Sequence, residues 1–181
     1  MNQFSAPEPA HSLAGADDSL QRLWTPHRMA YIDSYNHPDT PACPFCVAPQ
    51  KSDEDGLIVG RGQHCFVVLN LYPYNPGHVL ICPYRHVADY TDLSDEEAHE
   101  VADLTRQSMR VIRQVSGPAG FNIGLNQGRV AGTGVADHFH THVVPRWSGD
   151  ANFFPIIAQT KAIPQLLAET RQMLSEAWDR L

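Results

Sequence analysis

Nothing in these 181 residues approaches a run of roughly 20 apolar positions, so no helical membrane span is expected. Basic residues are scarce. Thirteen Lys and Arg stand against 20 Asp and Glu, for a formal net charge of −7. That balance argues against general nucleic-acid binding, which needs a basic face. It leaves an anionic ligand open, because the local field of a cleft outweighs the sum. The first residues lack a basic stretch followed by an apolar one, so no secretion signal is read and a cytoplasmic location is expected. Cysteine is nearly absent: Cys43, Cys46, Cys65 and Cys82 only. In a cytosolic chain these are expected to stay reduced. Cys65 and Cys82 sit in apolar strand patterns and read as small core residues.

What is present suits one globular domain with its own core. Residues 1–20 are rich in Ala, Pro, Ser and Asp without periodicity and are expected to be mobile. Residues 21–181 are expected to form a single domain, with apolar anchoring starting between Leu20 and Ile32. Cys43-Pro44-Phe45-Cys46 is a tight Cys-x-x-Cys knuckle. Two thiolates at that spacing can share a tetrahedral metal. A redox dithiol is the rival, although this pair does not open a helix in a βαβ pattern. Leu57 to Gly60, Cys65 to Leu69 and His78 to Cys82 read as strands separated by Gly- and Pro-containing turns. This is a hairpin-rich antiparallel pattern, hence an α+β fold. His78 begins a strand after Pro-Gly and reads as structural.

Ser94 and Glu97 form a capping box that opens a helix. Val101, Leu104, Ser108, Val111 or Ile112, and Val115 supply its buried stripe, and Gly117-Pro118 ends it. Its charged face reads as merely solvated. Phe121 to Leu125 is another strand. The Gly-rich loop Asn126 to Gly134 follows, where small residues let backbone N–H groups approach an anion. A last helix is expected to start near Pro164, with Leu166, Leu167, Thr170, Met173, Leu174 and Ala177 on its apolar face.

His138, His140 and His142 alternate with Phe139 and Thr141. A strand points alternate side chains to one face, so the three imidazoles would form a row with spacings of roughly 6.6 Å. As a helix the rings would fan out and share no surface. A metal-scavenging cluster or tag is the bland reading, but this run is internal and lies in an apolar, β-branched stretch. The segment 138–142 is therefore expected to be a half-buried strand with an imidazole face. A neutral imidazole keeps a lone pair near pH 7, so such a row can supply a nucleophile to phosphorus.

The run His138-Phe139-His140-Thr141-His142-Val143-Val144 resembles the signature of the histidine triad (HIT) superfamily. Val67 to Asn70, Pro76 to Ile81, Pro83 to Val87 and Phe121 to Gly128 match in the expected order. Gly149 to Phe153 and Lys161 to Leu167 resemble one branch, the actinobacterial-type diadenosine tetraphosphate phosphorylases. The resemblance implies a HIT-like antiparallel sheet of about five strands with a main and a C-terminal helix, and at least a homodimer. It implies His140 as nucleophile, forming a nucleotidyl-histidine, and His142 as donor to phosphate or leaving group. It implies a structural zinc on Cys43, Cys46, His86 and His138, with a metal-free knuckle or His64 as alternatives, and no organic cofactor. Asn70 matches a ribose contact and Asn126 a phosphate contact. Gly132, Thr133 and Gly134 fall near the phosphate donors, in a loop one residue longer than the commoner pattern. Trp147 and Phe153-Phe154 would stack on a base or pack an interface. Arg129 and Arg146 are candidates for offsetting phosphate charge. If orthophosphate accepts the nucleotidyl group, the products of diadenosine tetraphosphate are ATP and ADP. If water accepts it, the enzyme is a dinucleoside polyphosphate or phosphoramidate hydrolase. A silent nucleotide sensor is the alternative from another class.

Overall fold

The structure, a computed structural model, describes residues 43–150 and 165–180. The expectations for residues 1–20, for the segment from Leu20 to Ile32, and for Phe153, Phe154 and Pro164 lie outside these. A short helix α1 (Pro44–Val47) and a 3-10 turn (Ala48–Gln50) lead into β1 (Ile58–Arg61), β2 (Cys65–Leu69) and β3 (Val79–Pro83). Helix α2 (Asp95–Ser116) follows, then β4 (Gly120–Gly124), β5 (Thr141–Arg146) and α3 (Leu167–Trp178). The five strands form one antiparallel sheet in the order β1-β2-β3-β5-β4. Among the described residues no helix is long and apolar enough to cross a membrane.

Strands β2 and β3 are buried on both faces, so the sheet is a wall with two sides. Val67, Leu69, Val79, Ile81 and Val143 pack on Val101, Leu104, Val111 and Ile112 of α2 and on Leu174 and Ala177 of α3. Phe66, Val68, Leu80 and Cys82 face the other way, toward Phe45, Ala48 and Tyr84. Leu80 pairs with His142, so His142 belongs to this second side. Cys65 and Cys82 are fully buried, as their strand patterns imply.

The capping box forms: the Ser94 hydroxyl accepts from the Glu97 N–H, and the Glu97 carboxylate accepts from the Ser94 N–H. Gly117 closes α2 in the left-handed region at φ 53°. The helix's acids do more than face solvent. Glu97 is buried and takes two N–H donors from Arg85, at 3.0 and 2.6 Å. Glu100 accepts three consecutive backbone N–H groups, from Gln63, His64 and Cys65, at 2.8, 2.6 and 2.6 Å. Helix α3 begins at Leu167, and Leu166 is exposed instead of joining its apolar face. Arg171 takes a buried place there, donating to the carbonyl of Ile58 and to Glu54. Gly60 lets α3 sit close, since a Cβ at that position would collide with the Trp178 ring.

The expected strand 138–142 is corrected by the register. β5 starts only at Thr141, opposite Ile81. Continuing that ladder would set Phe139 against Pro83, which has no N–H to donate. The chain peels away instead, and the Phe139 N–H donates to the Val87 carbonyl at 2.6 Å.

Burial pushes the Glu100 carboxyl upward, but its three N–H partners outweigh this and hold it below the ordinary glutamate value. A carboxylate with a depressed folded-state pKa stabilises above the unfolded value and loses that stabilisation as pH falls through the folded one. Glu100→Gln is therefore expected to cost about 1–2 kcal/mol at pH 7. Denaturant titrations should show the gap between mutant and wild type closing as the pH drops below about 4; a gap that persists there would contradict the assignment.

Candidate active site and metal group

The three triad imidazoles leave the expected row but stay within reach of one another. The rings of His140 and His142 have centroids 5.1 Å apart at 64°. His138 turns toward the two cysteines, and the Phe45 ring lies against both His138 and His140, at 5.5 and 4.9 Å. His140 is 7% exposed. Its Nδ1 lies 2.8 Å from the His138 carbonyl oxygen. That oxygen can only accept, so Nδ1 carries the proton and the lone pair sits on Nε2. Burial pushes His140 below the ordinary imidazole value, against the opposing pull of that carbonyl. The ring is thus a neutral imidazole at pH 7, the form that can attack an electrophile.

A second chain of hydrogen bonds ends on His142. The Tyr72 N–H donates to Asn70 Oδ1 at 3.0 Å, which orients the amide and leaves Nδ2 facing His78 Nδ1 at 3.2 Å. The Tyr74 N–H also donates to His78 Nδ1, at 3.1 Å. Nδ1 of His78 is therefore an acceptor, and its Nε2–H donates to His142 Nδ1 at 2.9 Å. In the neutral ring the proton of His142 then lies on Nε2. His78, fully buried, does more than begin a strand. Its position two residues before Leu80, the partner of His142, is the sequence signal that places it on the triad's side. The Asn70 amide thus holds His78 in place.

Cys43, Cys46, His86 and His138 converge, with ligand atoms all within 4.8 Å of one another. Sγ of Cys43 lies 3.4 Å from His138 Nδ1, and Sγ of Cys46 lies 3.2 Å from His86 Nδ1 and 3.5 Å from His138 Nδ1. A tetrahedral ion with bonds of about 2.3 Å to sulfur and 2.0 Å to nitrogen needs S···N edges of about 3.6 Å, so the set fits. His138 Nε2 donates to the Pro83 carbonyl at 3.0 Å, which leaves Nδ1 as the ligand nitrogen. Burial holds His138 down to about 4, so it is neutral and able to ligate. Burial, then the neighbouring Cys43, push the Cys46 thiol up, an environment that favours a cation once the thiols ionise. His64 is not in this group.

The loop after β4 curls through a 3-10 turn (Arg129–Ala131) between Gly128 and Gly132, both at positive φ. Gly124 pairs with His142, so Asn126 follows the strand end beside the triad. Gln127 ties the loop down, accepting from the Tyr90 N–H and donating to the Ala88 carbonyl. Thr133 is buried, and its hydroxyl donates to the Val135 carbonyl; Gly134 lies in a bend beside it. Arg146 is on the side of His142 but is held by Asp150, with N···O distances of 2.6 and 2.8 Å. Arg146 holds the Asp150 carboxyl well below the usual range. Trp147 lies on the opposite, helix side, donating to the Ser116 carbonyl and lining an apolar cavity with Met173 and Leu174.

Known proteins share both the pattern and the fold. The HIT domain family model matches residues 51–149. "AP-4-A phosphorylase" of Mycobacterium tuberculosis is 52% identical over 172 residues, which span 92% of this chain and 88% of that protein. An "adenosine 5'-monophosphoramidase" of Schizosaccharomyces pombe is 35% identical over 58% of this chain and 74% of that one. A Zn-bound histidine triad family protein from Mycobacterium smegmatis shares the fold, with a TM-score of 0.62 at 24% identity over 77% of this chain and 94% of its own. The match over more than half of the sequence, together with a relative 52% identical over most of both chains, makes this chain a member of the HIT domain family.

Proposed function

We propose that the protein is a nucleotidyltransferase that acts on dinucleoside polyphosphates through a covalent nucleotidyl-His140, and that it is a diadenosine tetraphosphate phosphorylase. The observation that carries this reading is the bond from His140 Nδ1–H to the His138 carbonyl, which puts the lone pair on Nε2. Likeness to a named phosphorylase over nearly the whole chain selects the acceptor. In the first step Nε2 attacks an α-phosphorus, the P–O bond to the leaving ATP breaks, and His142 Nε2–H donates a hydrogen bond to that oxygen as it takes up negative charge. In the second step orthophosphate oxygen attacks the same phosphorus, the N–P bond breaks, and ADP leaves. Backbone N–H groups of the loop 126–134, with Asn126, Gly132, Thr133 and Gly134, would hold the phosphates.

Cys43, Cys46, His86 and His138 would hold a zinc ion, which when bound supplies a structural cross-link and no open coordination position. Thiols kept reduced for such a site suit the cytoplasm. A homodimer fits the sheet's edges. Helix α3 covers β1, whereas β4 is an edge with Ile123 and Leu125 exposed.

Incubation with diadenosine tetraphosphate is expected to yield ATP plus ADP, and only when orthophosphate is present. AMP plus ATP without it would make the enzyme a hydrolase, a reading favoured by the likeness to a phosphoramidase. His140→Ala should bind nucleotide yet lose turnover by at least a thousandfold, on the order seen for loss of a covalent nucleophile; retained turnover would reject the mechanism. Metal analysis should find one zinc per chain, abolished in Cys46→Ser. At metal 100-fold above its Kd the linked loss is about 2.7 kcal/mol, read as a Tm fall of about 5–11 °C. Ile123→Lys should shift the sedimentation profile from dimer to monomer.

A further inference from the structure

Tyr74 sits in the loop between β2 and β3, flanked by Pro73 and by Asn75-Pro76-Gly77. Its ring lies almost parallel to two imidazoles at once: to His78 at 4.9 Å and 26°, and to His142 at 5.9 Å and 18°. Those imidazoles are hydrogen-bonded to each other at 2.9 Å. The phenol ring thus spans the bond that sets which nitrogen of His142 carries the proton. Its own backbone N–H donates to the far nitrogen of His78. The loop is pinned at its end by Asn75, which donates to the Pro145 carbonyl and to Asp150.

One hydrogen bond fixes the position of His142 Nδ1 but not the plane of the ring. The ring can still swing about the N···N axis, which turns the Nε2–H direction away from an oxygen in line with it and weakens that hydrogen bond. A flat aromatic stacked on both rings removes that freedom, because tilting either imidazole breaks van der Waals contact with the stack. We propose that the Tyr74 ring is a positioning residue for the leaving group, a clamp that lies against His78 and His142 and holds the His142 ring so that Nε2–H meets the departing oxygen. This rests on the reading of His142 as hydrogen-bond donor to that oxygen. It assigns a task to the phenyl face of Tyr74, not to its hydroxyl.

The test compares Tyr74→Leu with Tyr74→Phe in the full chain. With diadenosine tetraphosphate, Tyr74→Leu should lower kcat by 10- to 100-fold, on the order of a misplaced hydrogen-bond donor, with KM little changed. Tyr74→Phe keeps the stack and should restore kcat to within about threefold. With the phosphorofluoridate of AMP, whose leaving fluoride is a far weaker base than a phosphate oxygen, Tyr74→Leu should stay within about threefold of wild type. Nitrogen-15 NMR of the free proteins gives a readout that does not depend on turnover. His142 should be an Nε2–H tautomer in wild type and Tyr74→Phe, and a mixture in Tyr74→Leu. Equal losses on both substrates, or an unchanged tautomer and kcat in Tyr74→Leu, would overturn the clamp. A tautomer shift in Tyr74→Leu with no turnover of either substrate by wild type would support the clamp while rejecting the nucleotidyl-transfer reading.

Discussion

Three groups that can play only one part in a hydrogen bond decide the chemistry of this site. The carbonyls of Pro83 and His138 can only accept, and the N–H of Tyr74 can only donate. Each faces one nitrogen of a different imidazole, and each thereby settles what the other nitrogen must be. His138 is left with a lone pair toward the cysteines, and His140 with a lone pair away from its own backbone. His78, and through it His142, is left with a proton to give. Three similar side chains within five residues acquire the properties of a metal ligand, a nucleophile and a donor without any difference in covalent structure. Burial supports this division, because it keeps His138 and His140 neutral where a solvated imidazole would be partly charged.

The backbone that sets up these partners is a very short ladder. β3 and β5 pair only through Val79–Ile81 and Thr141–Val143. Pro83 stands where the ladder would extend at one end, and Pro145 lies beyond it at the other. Past the first proline, His138 to His140 are released from the sheet and lie against the Cys-x-x-Cys knuckle. The Phe45 ring there lies against His138 and His140 alike. Past the second, Asn75 bridges to the Pro145 carbonyl and Arg146 closes on Asp150. A longer, more regular pairing would hold the histidines in a straight row but would deny His140 the carbonyl that fixes its proton.

These details divide cleanly into what a sequence can and cannot carry. The strands, the Ser94–Glu97 cap, the Gly117 stop and the Cys43-Cys46-His86-His138 grouping depend on local pattern or on the family resemblance, and all were legible. The start of β5 was not, because it depends on which strand lies opposite, and only the register brings Pro83 to face Phe139. The link from His78 to the triad is hidden for the same reason. It depends on a partner 64 positions away that periodicity cannot name. Glu97 and Glu100 looked like a solvated face because Arg85 and the loop 63–65 are invisible from the helix alone. Leu166 looked apolar and interior, yet the helix begins one residue later and leaves it outside.

The charge balance of the site follows from one ion pair. The chain carries a net charge of −7, and a polyphosphate brings more negative charge to it. Arg146 is on the side of His142, but Asp150 takes two of its N–H groups and offsets its charge. His140 is neutral, and so is His138. The backbone N–H groups of the glycine-rich loop and the N–H of His142 are dipoles that the fold holds on this side of the sheet. Dipoles fixed by the fold need no reorganisation as charge develops, and in a buried site they act at full strength. The orientation of the His142 ring, and whatever holds its plane, therefore decides where one of these dipoles points.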